Sequence, residues 1–334
     1  MDAEELTRRR EERARARRRR RTRRRVGIAG ALALVAVVVI VAVASAGGSG
    51  SQTRSTTTGA GHTTTHAARS SHRTGQHHAR GESTAAILGP ATGAKGTAAV
   101  PVLMYHVIAA PPSGAPFPGL YVQPQEFSAQ MQALKSAGWH AVTLDQLQAY
   151  WAKGAKLPAG KPVVITFDNG YHSQYTEALP VLRRLGWVAD ENIQLAGLPP
   201  SQGGLTDDQV RAMVDAGWEL DTQGISHADL ITLDAAQLKY QIDTARKMIQ
   251  RRYGVPVNWF CYPSGHYDTT VINAVRAAGY VGSTTVVPGW ATPSEDPYRL
   301  PRLRVLGGTS PSSLLKQIAT YRTAAAPPGS YGGA

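Results

Sequence analysis

Cysteine is almost missing: Cys261 is the single one in 334 residues. No internal disulfide can brace the chain, so whatever folds must be stable through its core, which a domain of a few hundred residues permits. Cys261 lies in the strand-like run Val257-Asn258-Trp259-Phe260-Cys261-Tyr262-Pro263 with no His–Asn or His–Asp pair beside it in sequence, and reads as a buried, inert thiol. Acids are scarce too, 23 against 36 Lys and Arg, a net charge of +13. That excess is local. Residues 1–25 hold 13 Arg against five acids, Asp2, Glu4, Glu5, Glu11 and Glu12, a net +8. A basic run can bind nucleic acid, but this one abuts an apolar segment, so we expect membrane topology and no nucleic-acid partner.

That segment, residues 26–44, lacks any charge. Nineteen residues at a rise of 1.5 Å cover about 28 Å, close to the hydrocarbon thickness of a bilayer. Arginines on its amino side hold that side in the cytoplasm. The expected topology is a single-pass plasma-membrane protein, amino terminus cytoplasmic and the remainder outside, in contact with membrane lipid through 26–44. The alternative is a secreted protein cleaved near Ala46, but a signal peptide has a shorter apolar stretch of about 7–15 residues. Residues 45–98 have almost no large apolar side chain and are rich in Ser, Thr, Gly, Ala and His, including His62, His66, His72, His77 and His78. Such a stretch cannot offset its ordering entropy. It reads as a disordered linker reaching about 40 Å.

From residue 99 to about 325 apolar runs alternate with amphipathic ones. Strands are expected at 102–108, 140–144, 161–167, 192–195, 218–222, 257–262, 280–287 and 300–305. Helices are expected at 124–137, 145–151, 174–185, 206–216, 234–252, 269–278 and 311–321. Thr206 and Asp234 have the chemistry of N-caps; Gly138, Gly186, Gly217, Gly254 and Gly279 that of helix stops. Seven or eight βα repeats with no Gly-rich phosphate loop point to an α/β fold whose parallel sheet closes into a barrel, with an open doubly wound sheet as the alternative. Asp190 and Glu191, just ahead of the fourth strand, are expected to be solvated.

Polar groups gather at the carboxyl ends of these strands, where barrels carry their chemistry. His106 ends the first. Asp168 and Asn169, in Thr166-Phe167-Asp168-Asn169-Gly170-Tyr171, end the third. Asp221 and Gln223 end the fifth, with His227 four residues beyond Gln223, and Pro263-Ser264-Gly265-His266 ends the sixth. This combination resembles the polysaccharide deacetylases (carbohydrate esterase family 4, the NodB-homology domain), with their T-F-D-D-G-Y and H-x-x-x-H motifs, over roughly residues 99–305. The resemblance implies a distorted (β/α)7-type barrel and a hydrolase that removes N-acetyl groups from glycans with a divalent metal, usually zinc. By position it implies Asp168 as catalytic base, His227 as a metal ligand, and Asn169 and Gln223 where the other two ligands stand. It also implies His106 as the acid that protonates the leaving amine, and Ser264 as the source of the backbone N–H facing the oxyanion. The motif's arginine, which orients the base, is Cys261 here.

Amide oxygens are poor zinc ligands, so three readings stay open. Asp168 or Asp221 completes a weaker site; Asp168 activates water without metal, with His106 as acid; or the domain only binds glycan. A glycosidase using Asp168 and Asp221 as paired carboxylates is a further class. His172 and His266 could supply replacement ligands. Tyr171, Tyr267 and Trp290 are candidates to contact sugar. The partner that the resemblance implies is an N-acetylated polysaccharide or peptidoglycan.

Overall fold

The computed structural model describes residues 93–196, 198 and 203–333. The basic segment, the apolar segment and most of the linker lie outside them. Among the described residues no helix is long and apolar enough to cross a membrane.

The strands are β1 (Val100–Tyr105), β2 (Trp139–Val142), β3 (Lys161–Asn169), β4 (Asp190–Ile193), β5 (Glu219–Thr222), β6 (Trp259–Cys261), β7 (Gly282–Thr284), β8 (Trp290–Ala291) and β9 (Leu303–Arg304). They form one sheet in the order β7-β6-β5-β4-β3-β1, with β9 beside β1 and all of these pairings parallel. A bridge between Thr284 and Leu300 carries the chain from β7 toward β9, so the sheet curls back on itself. The parallel sheet expected from the βα alternation is present, curled into a half-barrel in line with the distorted barrel that the resemblance implies. β2 pairs with the lower half of β3, and β8 runs antiparallel to the start of β1.

The helices are α1 (Pro124–Ser136), α2 (Leu144–Lys153), α3 (Leu179–Leu185), α4 (Asp207–Asp215), α5 (Ala235–Lys239), α6 (Ala245–Tyr253), α7 (Thr269–Ala277) and α8 (Pro311–Thr320). Thr206 and Asp234 each make a capping box, with Gln209 and Gln237 returning the bond to the cap's own N–H. All five predicted helix-stop glycines adopt positive φ. α2 closes the amino end of the curl: Leu144, Leu147 and Trp151 pack among Val100, Val102, Val164, Trp259 and Leu300. Burying each such side chain is worth about 1.5–3 kcal/mol.

Three expectations change. β4 begins at Asp190, not 192, and Asp190 and Glu191 are 0% and 2% exposed rather than solvated. Pairing with strands on both sides and packing on both faces buries them, a consequence of context that local polarity hides. The helices expected at 174–185 and 234–252 are each interrupted by a π-turn, Gln174–Ala178 and Tyr240–Thr244. The strands expected at 280–287 and 300–305 shorten to three and two residues, because pairing partners run out on either side.

Candidate functional site

The strand ends open into one cavity of about 510 Å³, within the usual range for a small-ligand site. His106, Asp168, Asn169, Tyr171, Gln223, His227 and Ser264 all line it, joined by Gln194 from the end of β4 and Arg304 from β9. The residues that sequence placed at separate strand ends thus share one pocket. Three predicted residues do not. Asp221 is fully buried and accepts hydrogen bonds from the N–H groups of Asn258 and Trp259. Tyr267 is 0% exposed and donates its hydroxyl to the carbonyl of Pro328. Trp290 sits at the opposite end of the curl, its Nε1 donating to the carbonyl of Ile318. Nor do His172 and His266 line the cavity; they pair with Gln209 and Asp229. Among the described lining residues Asp168 is the only carboxylate, so Asp168 and Asp221 do not flank one cavity as the paired acids of a glycosidase would.

Backbone strain collects here. Asn169, His227 and Ser264, at φ 82°, 52° and 56°, are the only described non-glycine residues with positive φ, and all three line the cavity. Such conformations persist where surrounding contacts over-determine them. The two π-turns supply some of those contacts. Gln174 in the first donates Nε2 to the carbonyls of both His106 and Asp168, tying the ends of β1 and β3 together. Gln241 in the second accepts from the N–H groups of Ile225 and Ser226 through Oε1 and donates Nε2 to Ser226 Oγ, which holds the loop leading to His227.

Asp168 is the most constrained group. Arg302 donates Nη1 to Oδ1 at 2.7 Å and Nη2 to Oδ2 at 2.8 Å, and Asn192 donates Nδ2 to Oδ1 at 2.9 Å. Burial alone would raise the Asp168 carboxyl, but the Arg302 charge and its hydrogen bonds override it and hold it down at about 2. Arg302 also sits 3.2 Å from Cys261 Sγ. Where the resemblance expects an arginine in the β6 motif, the smaller Cys261 leaves room for a guanidinium delivered from just before β9. The Cys261 thiol is fully buried and pushed by burial up to about 12, consistent with an inert thiol. Arg302 escaped the sequence reading, because its partner Asp168 is 134 residues away and nothing local marks the pair.

His106 Nε2 lies 3.9 Å from Asp168 Oδ2, and its Nδ1 is buried without a partner. Burial lowers this imidazole to about 4, only partly opposed by the Asp168 charge. His227 is also lowered, chiefly by burial. Both are neutral imidazoles at pH 7. Asn169 commits its Nδ2 to Gln194 Oε1 at 3.1 Å, while Gln223 Oε1 is buried and unpartnered. At the motif's metal positions the donors are therefore one imidazole, His227, and the neutral amides of Asn169 and Gln223; His106 lies beside them, and the single carboxylate, Asp168, is engaged by Arg302. That set does not fit a zinc site, which needs imidazole, thiolate or free carboxylate. Ser264, at the 3-10 turn Pro263–Gly265, makes no backbone hydrogen bond through its N–H, unlike Gly265 and His266 beside it.

Comparison with known proteins agrees with this architecture. The polysaccharide deacetylase family profile matches residues 155–283. YxkH of Bacillus subtilis, which carries the name of a polysaccharide deacetylase, is 30% identical over 217 residues, 65% of this chain and 75% of that protein. The poly-β-1,6-N-acetyl-D-glucosamine N-deacetylase of Staphylococcus epidermidis is 26% identical over 201 residues, 55% of this chain and 68% of that one. Among solved structures, the Streptococcus pyogenes deacetylase PplD in complex with acetate superposes with a TM-score of 0.61 at 25% identity, covering 67% of this chain and 99% of that chain.

Proposed function

The chain belongs to the polysaccharide deacetylase family, and from that premise we propose that it hydrolyses the amide bond of N-acetylated glycans with an altered metal dependence. The observation that carries the proposal is the pairing of His106 with Asp168, 3.9 Å apart at the floor of a cavity of about 510 Å³. No step is routed through a metal, because the donor set does not fit one. With His106 at about 4 and Asp168 at about 2, the imidazole is the stronger base. Water attacks the acetyl carbon as its proton passes to His106 Nε2, and the Asp168 carboxylate stabilises the imidazolium that results. The Ser264 N–H is free to face the tetrahedral oxyanion. Collapse breaks the carbon–nitrogen bond while His106 returns the proton to the leaving amine, giving acetate and a free amino sugar. Asp168 thus supports the proton acceptor here, where the resemblance makes it the acceptor itself.

The substrate class rests on relatives named for action on poly-N-acetylglucosamine; peptidoglycan is the other candidate polymer. At the cavity mouth Phe117, 68% exposed, stands with Pro116, Leu120 and Tyr121, an apolar rim on which a sugar ring can stack. It takes the place that sequence reading offered to Trp290. The apolar segment 26–44 supports export and tethering to the membrane, tested by protease accessibility of the domain on intact cells.

Acetate release from N-acetylglucosamine oligomers, with and without a chelator, tests the chemistry. Chelator-resistant release that disappears in His106→Gln is the expected result. Oligomers that bind without releasing acetate would instead establish the second reading, a glycan-binding module, which the tight engagement of Asp168 by Arg302 favours.

A further inference from the structure

A group of acids lies outside the cavity. Asp190, Glu219 and Asp221 project from the adjacent strands β4 and β5, with one carboxylate oxygen from each lying within 4.8 Å of the others. Each acid is oriented by a hydrogen bond to one of its oxygens. Asp190 Oδ1 accepts from the N–H of Leu144, and Glu219 Oε2 from that of Asp145, both at the amino end of α2. Asp221 Oδ1 accepts from the N–H groups of Asn258 and Trp259. The second oxygen of each, Asp190 Oδ2, Glu219 Oε1 and Asp221 Oδ2, is buried with no partner. None of the ion pairs among the described residues involves these acids.

A neutral side chain adds an independent observation. Asn258 is 1% exposed and reaches the group by donating Nδ2 to Asp145 Oδ2 at 2.6 Å, yet its own Oδ1 is buried and unpartnered. A buried acceptor without a donor costs about 1–3 kcal/mol; each of the three acids carries one, and a fourth is on Asn258, whose N–H bonds Asp221. A single cation would satisfy them together.

We propose that Asp190, Glu219 and Asp221, with Asn258 beside them, form a site for a hard divalent cation of the calcium class, separate from the catalytic cavity. All the donors are oxygens, which disfavours zinc and copper. Carboxylate and amide oxygens are the ligands calcium takes, in a flexible shell at about 2.3–2.6 Å, whereas magnesium demands near-ideal octahedral geometry and keeps several waters. Asp145 and Glu219 are only partly buried, leaving a side from which the ion and its waters enter. Bound there, the cation locks β4 and β5 to the amino end of α2. β4 also carries Asn192, which steadies Asp168.

The test uses the full chain after chelation, titrated with calcium, magnesium and terbium. Expected are one calcium per chain, a melting temperature raised by roughly 5–8 °C at a hundredfold excess over Kd, and terbium luminescence sensitised by Trp259, whose Nε1 bonds Asp145. Asp190→Asn and Asp221→Asn should abolish all three signals, and Glu219→Gln, at a less buried position, serves where these fail to fold. His227→Ala should leave calcium binding intact. Absence of calcium binding in the wild type, or unchanged binding in a folded acid variant, would overturn the proposal in favour of carboxyls held together by shared protons.

Discussion

Arg302 closes its guanidinium on both oxygens of Asp168, at 2.7 and 2.8 Å, with the two side chains 0% and 2% exposed. A carboxylate sealed from water is tolerated because this partner is planar, permanently charged and matched to both oxygens. The same contact makes Asp168 a weak base and shifts proton transfer to His106.

Arg302→Met leaves the buried carboxylate unpaired and should cost about 3–5 kcal/mol. The pH dependence discriminates this from simple packing loss. In the wild type the folded Asp168 sits at about 2, below its ordinary 3.8. Its contribution of about 2 kcal/mol is complete above that ordinary value and lost as pH falls through 2. In the variant burial is opposed only by the Asn192 hydrogen bond and His106, so the carboxyl should rise and this group should make the protein more stable on acidification from pH 7 toward 4. Urea denaturation across that range reads the change of sign. Arg302→Lys, with charge but no planar pair of donors, should lie between.

His106 makes the opposite kind of test, on a base. Its folded value of about 4 lies below the ordinary 6.5, so the unfolded chain binds the extra proton between those values. The stability due to this group is complete above 6.5 and declines as pH falls toward 4, by about 3 kcal/mol in all. His106→Gln should remove that slope. In the wild type the same group should give the pH profile of kcat/KM an acid limb near 4. A limb placed elsewhere, or acetate release that survives in the variant, would assign proton transfer to another group.

The departures from the metal motif can be reversed. Asn169→Asp with Gln223→His should turn the three motif positions, now one imidazole (His227) and two amides, into a two-imidazole, one-carboxylate set and raise zinc affinity at least a hundredfold by calorimetry. Asp tolerates the left-handed backbone at position 169, φ 82°, nearly as well as Asn. Failure of the double variant to bind zinc would show that these side chains do not converge on one ion.

What the sequence disclosed divides along physical lines. His106, Asp168 and Asn169 were legible because they follow apolar runs, Gln223 and His227 because their four-residue spacing matches the motif, and a parallel curl sends all strand ends to one side. The caps at Thr206 and Asp234 were legible because capping is local chemistry. Asp190 and Glu191 were misplaced because strand recognition relies on apolar side chains, and these acids are buried by neighbours distant in sequence. Arg302 lies 134 residues from its partner, and a long-range ion pair leaves no periodic trace. The π-turns add one residue to otherwise regular helical patterns, which periodicity alone does not resolve.

Phe117 offers a separation of binding from chemistry. It is exposed at the rim and, among the described residues, makes no hydrogen bond or ring contact with the His106–Asp168 pair. Phe117→Ala should raise KM for N-acetylglucosamine oligomers about five- to tenfold with kcat unchanged, the signature of lost uniform binding. Single N-acetylglucosamine units, too short to cover the rim, should show little difference. An equal fall in kcat would mean that the ring orders the cavity and does more than hold substrate.

Gln241 tests whether the second π-turn shapes the site. The added residue turns side chains beyond it by about 100° relative to an unbroken helix, and Gln241 uses that position to hold Ile225 and Ser226. Gln241→Leu keeps the volume but orphans two N–H groups, which should cost about 2–4 kcal/mol and speed amide hydrogen exchange at 225 and 226. His227, already at φ 52°, loses the contacts that impose its strained backbone, so acetate release should fall at least tenfold. Gln241→Glu retains an acceptor for both N–H groups and lets the Ser226 hydroxyl reverse to donate. Most activity should therefore return in Glu and not in Leu; equal losses in both would trace the effect to packing of the helix and not to the loop it holds.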